Sequence, residues 1–203
     1  MQRKSLIAIL IFTASLPLFS QVAPSATEVG LQQWTVGAGL SYFGTDYGPG
    51  RLAGGTLWIN DSLNKMPPLL RGISVAVEAR DLSLDRSSNG PVLRVDTAGG
   101  GAMYTWFHYK DFRPYVDVTV GLGNIDYIIS GGDRFHQTRT VTSLGGGCDI
   151  RAFRSVWVRA DYEYQYWPNF WIAKAGSPNG APLNPQGLTL GAIYHFGGDH
   201  RVY

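Results

Sequence analysis

The stretch from Val156 to Tyr166 constrains the fold more than any other part of the chain. Val156, Val158, Ala160, Tyr162, Tyr164 and Tyr166 fall on one side of an extended chain, and Arg159, Asp161, Glu163 and Gln165 on the other. Strand side chains alternate between faces with a period of two, so the segment reads as a β-strand dividing an apolar surface from a charged one. A helix would scatter the same residues around its axis.

Similar runs recur from about position 33, separated by clusters of Gly, Pro, Asn, Asp and Ser that make turns. In the first, Trp34, Val36, Ala38, Leu40 and Tyr42 oppose Thr35, Gly37, Gly39 and Ser41. The second, Arg51 to Ile59, alternates less clearly, and Gly54 with Gly55 suggests a bulge or tight bend. The third sets Ile73, Val75, Val77 and Ala79 against Ser74, Ala76, Glu78 and Arg80; Leu82 and Leu84 then break the count, as a bulge near Asp81 would. The fourth, Val92 to Phe107, separates Leu93, Val95, Thr97, Met103 and Phe107 from Arg94, Asp96, Ala98 and Ala102, with Gly99 to Gly101 allowing sharp curvature. In the fifth, Val116, Val118, Val120 and Leu122 oppose Asp117 and Thr119. In the sixth, Leu144, Cys148 and Ile150 oppose Ser143, Asp149 and Arg151. The last places Leu188, Leu190, Ala192, Tyr194 and Phe196 opposite Thr189, Gly191, Ile193 and His195.

With Val156–Tyr166 as the seventh, about eight runs result, an even number. The expected fold is all-β: an eight-stranded antiparallel up-and-down transmembrane barrel, which pairs every strand edge and so can sit in lipid. Outer loops are expected at 44–50, 85–91, 128–139 and 168–186, and inner turns at 60–71, 108–113 and 153–155. The first inner turn is long for its class.

Alternation alone fits a soluble lipocalin-like barrel equally well; the difference is which face points in. Glu78, Arg80, Arg94, Asp96, Asp117, Asp149, Arg151, Arg159, Asp161 and Glu163 fall mid-strand on the non-greasy face. Both signs, with Arg as the only cation, suit an enclosed paired network in the lumen. Trp34, Tyr42, Tyr162, Tyr166, Tyr194 and Phe196 lie on the greasy face towards strand ends, where interfacial girdles form.

The leading residues follow an export-signal layout: Arg3 and Lys4, an apolar run from Leu6 to Leu18, and a small residue at Ser20. Residues 1–20 are expected to be a cleaved signal peptide and 21–32 a periplasmic segment, followed by the barrel over 33–196 and a tail over 197–203. Ala23 and Ala26 offer other cleavage points. No Cys follows for lipid attachment. All fifteen acidic residues and fifteen of the seventeen basic ones lie after Ser20, so the processed chain is about neutral. No basic cluster favours nucleic acid. The single Cys148 excludes an internal disulfide.

Catalysis finds little support. His108, His136, His195 and His200 are dispersed, Asp161 and Glu163 have Arg159 beside them, and Gly145 to Gly147 lacks the residues of a phosphate loop. No metal or cofactor is expected. Eight strands leave an interior that side chains can fill, which argues against general diffusion.

The strand Gly187-Leu188-Thr189-Leu190-Gly191-Ala192-Ile193-Tyr194-His195-Phe196 resembles the closing strand of the outer-membrane protein A and X-like β-barrel superfamily. Gly145 to Arg151, Val158 to Gln165 and Arg113-Pro114-Tyr115-Val116 are similar to segments of its small barrels. The resemblance implies an outer-membrane location and insertion by the barrel-assembly machinery, with an aromatic-ended last strand as signal. Either Phe196 or Val202-Tyr203 would serve as that end. The expected function is non-enzymatic: a structural or envelope role, or binding of a surface ligand through outer loops, with the 168–186 loop bearing Phe170 and Trp171 as contact surface. A narrow pore for small solutes, a lipid-modifying barrel enzyme and a soluble lipocalin-like ligand-binding barrel are the alternatives.

Overall fold

The computed structural model describes residues 34–46, 50–63, 70, 72–84, 93–128, 134–170 and 181–196. The expected signal peptide, the segment before Trp34, Trp171 and the tail lie outside them. The chain forms strands β1 (Trp34–Gly44), β2 (Arg51–Ser62), β3 (Ile73–Leu84), β4 (Leu93–Thr105), β5 (Phe112–Ile128), β6 (Arg134–Arg151), β7 (Val156–Phe170), β8 (Ala181–Leu183) and β9 (Gln186–His195). Each barrel strand pairs antiparallel with its neighbour; β1 pairs with β9, and β9 with β7, which meets β6 and closes the ring. Eight strands therefore make the barrel. The short β8 pairs only with the far end of β7.

The closure has a measurable stagger. The row through Ala38, Leu57, Ala79, Ala98 and Leu122 reaches β6 at Thr140. Followed the other way through Ala192 and Val158, it reaches β6 at Ile150, ten residues away. With a rise of ~3.3 Å per residue and a strand spacing of ~4.8 Å, that stagger tilts the strands by about 40° from the barrel axis.

The two faces of the wall differ as lipid and lumen would require. Outward-pointing Leu40, Leu57, Leu122, Leu144, Leu188 and Leu190 are all at least 59% exposed, forming a continuous apolar surface. The buried residues point inward and include Arg80, Arg113, Asp149, Arg159, Asp161 and Glu163. A soluble lipocalin-like barrel needs the reverse arrangement, because a greasy outer belt of this extent is unstable in water.

Two expectations about register are corrected. β2 pairs with β3, and β3 with β4, without interruption through Gly54, Gly55 and Asp81, so neither suspected bulge exists. Leu82 keeps its phase and points inward, 2% exposed. It resembles a break in the sequence only because the interior is itself apolar at that height. The glycines serve curvature instead: a Cβ on Gly54 would run into Asp81 O of β3, and one on Gly101 into Val118 O of β5. The outer loop expected at 128–139 is shorter than its sequence suggests, since β6 already begins at Arg134.

Candidate functional site: the filled lumen and its rims

With β1 rising from the lower end to the upper end, the lumen divides into three levels. At the top, Phe43, Leu52, Leu82, Val95, Ile125, Val141, Trp167 and Leu183 form one apolar cluster. Small residues on facing strands make room for it. A Cβ on Gly123 would enter the ring of Trp167, and one on Gly187 the ring of Phe43.

At mid-height Arg80 is the central cation. Its guanidinium meets Glu163 through two parallel bonds, Nη1 to Oε1 at 2.8 Å and Nη2 to Oε2 at 2.9 Å, and Nε donates to Thr56 Oγ1 at 2.9 Å. It also pairs with Glu78 and lies 4.5 Å from the ring centre of Phe43. Glu163 Oε1 accepts from Gln165 Nε2 at 2.8 Å, and Gln165 Oε1 from Trp167 Nε1 at 3.0 Å, tying the ion pair to the apolar layer above. On the other wall Thr56 and Thr189 both bond to Ser41. Two-point geometry of this kind is the strong form of a charge-assisted bond and holds a planar guanidinium in one orientation.

Below it, Arg159 grips Asp149, with Nε to Oδ1 at 2.7 Å and Nη2 to Oδ2 at 2.8 Å. Its guanidinium carbon sits 4.5 Å from the ring centre of Tyr115, whose hydroxyl donates to Asp161 Oδ1 at 2.6 Å. Asp117 lies against Gly145, where an added Cβ would stand 2.6 Å from its Oδ1. Arg151 reaches Asp111 at 3.5 Å and stacks 4.9 Å from the ring of Trp157. These contacts use alternate residues of β3, β5, β6 and β7, which is why period two brings them together.

Eight of the ten charged residues expected in the lumen thus point into it: Glu78, Arg80, Asp117, Asp149, Arg151, Arg159, Asp161 and Glu163. Arg94 and Asp96 do not, and their assignment is corrected. β4 turns Val95 and Met103 inward, 3% and 5% exposed, and Arg94 and Asp96 outward. There Arg94 pairs with Asp81 (2.8 Å) and Asp96 (3.1 Å) on the outer surface near the upper rim. One row over, His136 Nδ1 lies 2.5 Å from Asp126 Oδ1. The greasy-side rule inverts β4 because its outer face carries only Ala98, Gly100 and Ala102 in the middle, while its larger apolar residues fill the lumen.

Arg113 is a lumen residue that the sequence reading misses. It is 2% exposed, 4.1 Å from the ring centre of Trp157 and 5.3 Å from that of Phe107. It shares parity with Tyr115 and Asp117, the signal that could have found it. Of the expected girdle residues, Trp34, Tyr194 and Phe196 lie outward at the lower end and Tyr42, Tyr162 and Tyr166 outward in the upper half. Trp106, Tyr109, Phe112 and Phe153 add to the lower exposed set. Among the described residues no group of three His, Cys, Asp or Glu is placed to hold a metal ion.

A closed eight-stranded barrel with an apolar wall and a side-chain-filled polar lumen defines the class of small outer-membrane-type barrels. The chain has that fold, shared with solved outer-membrane barrels. Neisserial surface protein A is 16% identical, with 81% of this chain matching 97% of it at a TM-score of 0.56. Ail, the attachment invasion locus protein of Yersinia pestis, in complex with the heparin analogue sucrose octasulfate, is 14% identical, with 82% of this chain covering 100% of it at 0.56. A major outer membrane protein from Thermus thermophilus is 13% identical, with 82% and 100% coverage at 0.55. No family model matches the chain, and no curated protein matches it in sequence.

Proposed function

We propose that the protein is a non-enzymatic barrel of the outer membrane, sealed to bulk solute flow, that serves the envelope structurally or presents its upper loops to a surface ligand. The filled lumen is the observation that carries this reading. An apolar layer caps the upper end, and beneath it the two-point Arg80–Glu163 and Arg159–Asp149 pairs tie strands together. An interior of eight strands is just wide enough for such side chains to fill. The exposed leucine belt supports the membrane location, and outer-membrane lipid is then the partner of the whole outer wall.

Delivery by a cleaved signal peptide and insertion by the barrel-assembly machinery complete the reading. β5 and β6, with 17 and 18 residues, are longer than the ~9–11 that span a bilayer. Their paired upper ends carry Asn124, Asp126, His136 and Thr138 outward, a polar outer surface suited to standing above the lipid. Reconstitution into planar bilayers tests the seal. The expected record is flat; steady single-channel conductance would favour the narrow pore instead.

A further inference from the structure

Among the described residues Glu78 and Glu163 pair with Arg80 at mid-height. Below it Asp117 and Asp161 share the level of Arg159 and Tyr115, and nearest the lower end Arg113, Arg151 and Arg159 face inward beside Asp149, with Arg151 also reaching Asp111. The lower end also holds a small recess, open at its mouth, of about 40 Å³. Its walls come from strand ends: Asn60 and Ser74 from β2 and β3, Arg113 from the start of β5, Arg159 from β7 and His195 from the end of β9.

Two buried polar atoms on these walls have no partner among the described residues. Arg159 is 2% exposed; its Nε and Nη2 are taken by Asp149, and its Nη1 donates to nothing. Asn60, 5% exposed, has an Oδ1 that accepts from nothing. Buried polar atoms are normally satisfied, and a buried guanidinium N–H left without an acceptor is costly. Arg113 lines the same recess, its guanidinium carbon 4.1 Å from the ring centre of Trp157 and 5.3 Å from that of Phe107. Asp149 also lines the recess, but both its oxygens are engaged by Arg159, which blunts its repulsion of an anion.

We infer that the recess is an oxyanion-binding site, open at the lower end and shaped for a phosphate group. A phosphate would give Arg159 Nη1 its acceptor and set an anion beside the charge of Arg113, and the hydroxyl of hydrogen phosphate supplies the donor that Asn60 Oδ1 lacks. Planar guanidinium donors are the side chains best matched to phosphate oxygens.

The site is tested on the full protein refolded in detergent, by isothermal titration with inorganic phosphate and, in parallel, with glycerol phosphate at constant ionic strength. Saturable binding of one phosphate per chain is expected, and a preference between the two ligands tells a free ion from a phosphate carried on a headgroup. Arg113→Met should weaken binding about tenfold or more, the loss of one charged group at the site. Because a lumen arginine variant can fail to fold, Thr105→Glu serves as the second: it keeps every arginine and sets a carboxylate at the lining of the recess, and should abolish binding. Absence of saturable binding in the native protein, or native affinity in folded Arg113→Met and Thr105→Glu, overturns the inference. The sealed-barrel reading survives either result, since it rests on bilayer recordings.

Discussion

Arg80 and Glu163 are both nearly excluded from solvent and satisfy one another at two points, and Arg80 is also the counter-ion of Glu78, so both carboxylates depend on it for their desolvated charge. Removing one partner strands a buried ion, which typically costs ~3–5 kcal/mol, whereas replacing both with apolar groups of similar volume costs much less. Arg80→Met, which strands both Glu163 and Glu78, is therefore expected to lower the unfolding free energy in urea by that amount, Glu163→Gln by less because Glu78 still pairs with Arg80, and Arg80→Met with Glu163→Leu together by less than the sum of the two. A double variant as unstable as the sum of the singles would show that the pair is not acting as a unit. Gly123 has a different role, as the floor beneath Trp167. Gly123→Val should overpack the upper layer at a cost of ~1–3 kcal/mol, read from the same unfolding curves.

β7 is legible residue by residue because its two faces meet opposite environments along their whole length. β4 is not. Its lumen side passes through the apolar upper layer at Val95 and the satellite cluster at Met103, while Arg94 and Asp96 emerge on the outer rim. A one-residue difference in phase exchanges every side chain between faces, so a local inversion of polarity misplaces the whole strand. The suspected bulge at Asp81 has the same origin in Leu82. Cysteine scanning separates the two assignments: Arg94→Cys and Asp96→Cys should react on intact cells with a membrane-impermeant maleimide, and Val95→Cys should not. The opposite pattern would restore the lumen placement of Arg94. Along β5, Val118 occupies the centre of the apolar outer face, and Val118→Arg should destabilise the barrel by ~2–4 kcal/mol, against ~0–1 for a basic residue in place of Asp126 near the rim.

For the molecule as a whole, the eight-strand count, the apolar belt and most of the lumen network follow from period-two patterning. The network's pairings do not, because contacts such as Arg80–Glu163 depend on the stagger of closure, which no local pattern encodes. A closed, fully paired wall predicts a β-rich protein extracted only with detergent, migrating faster on gels unheated than boiled. Recovery in the aqueous fraction without detergent would refute the membrane assignment.

The pairing of β1 with β9 has one more implication. These partners stand at opposite ends of the strand sequence, with Val36 against Tyr194 and Tyr42 against Leu188, so the seam is the contact most remote along the chain. Before β9 is in place, β1 and β7 each present a bare row of backbone donors and acceptors, and these cannot be left facing lipid. Assembly is thus an all-or-nothing commitment in which the final hairpin acts as the clasp. A nascent chain stalled before Gln186 would be a sticky ribbon awaiting capture or disposal, not a smaller barrel.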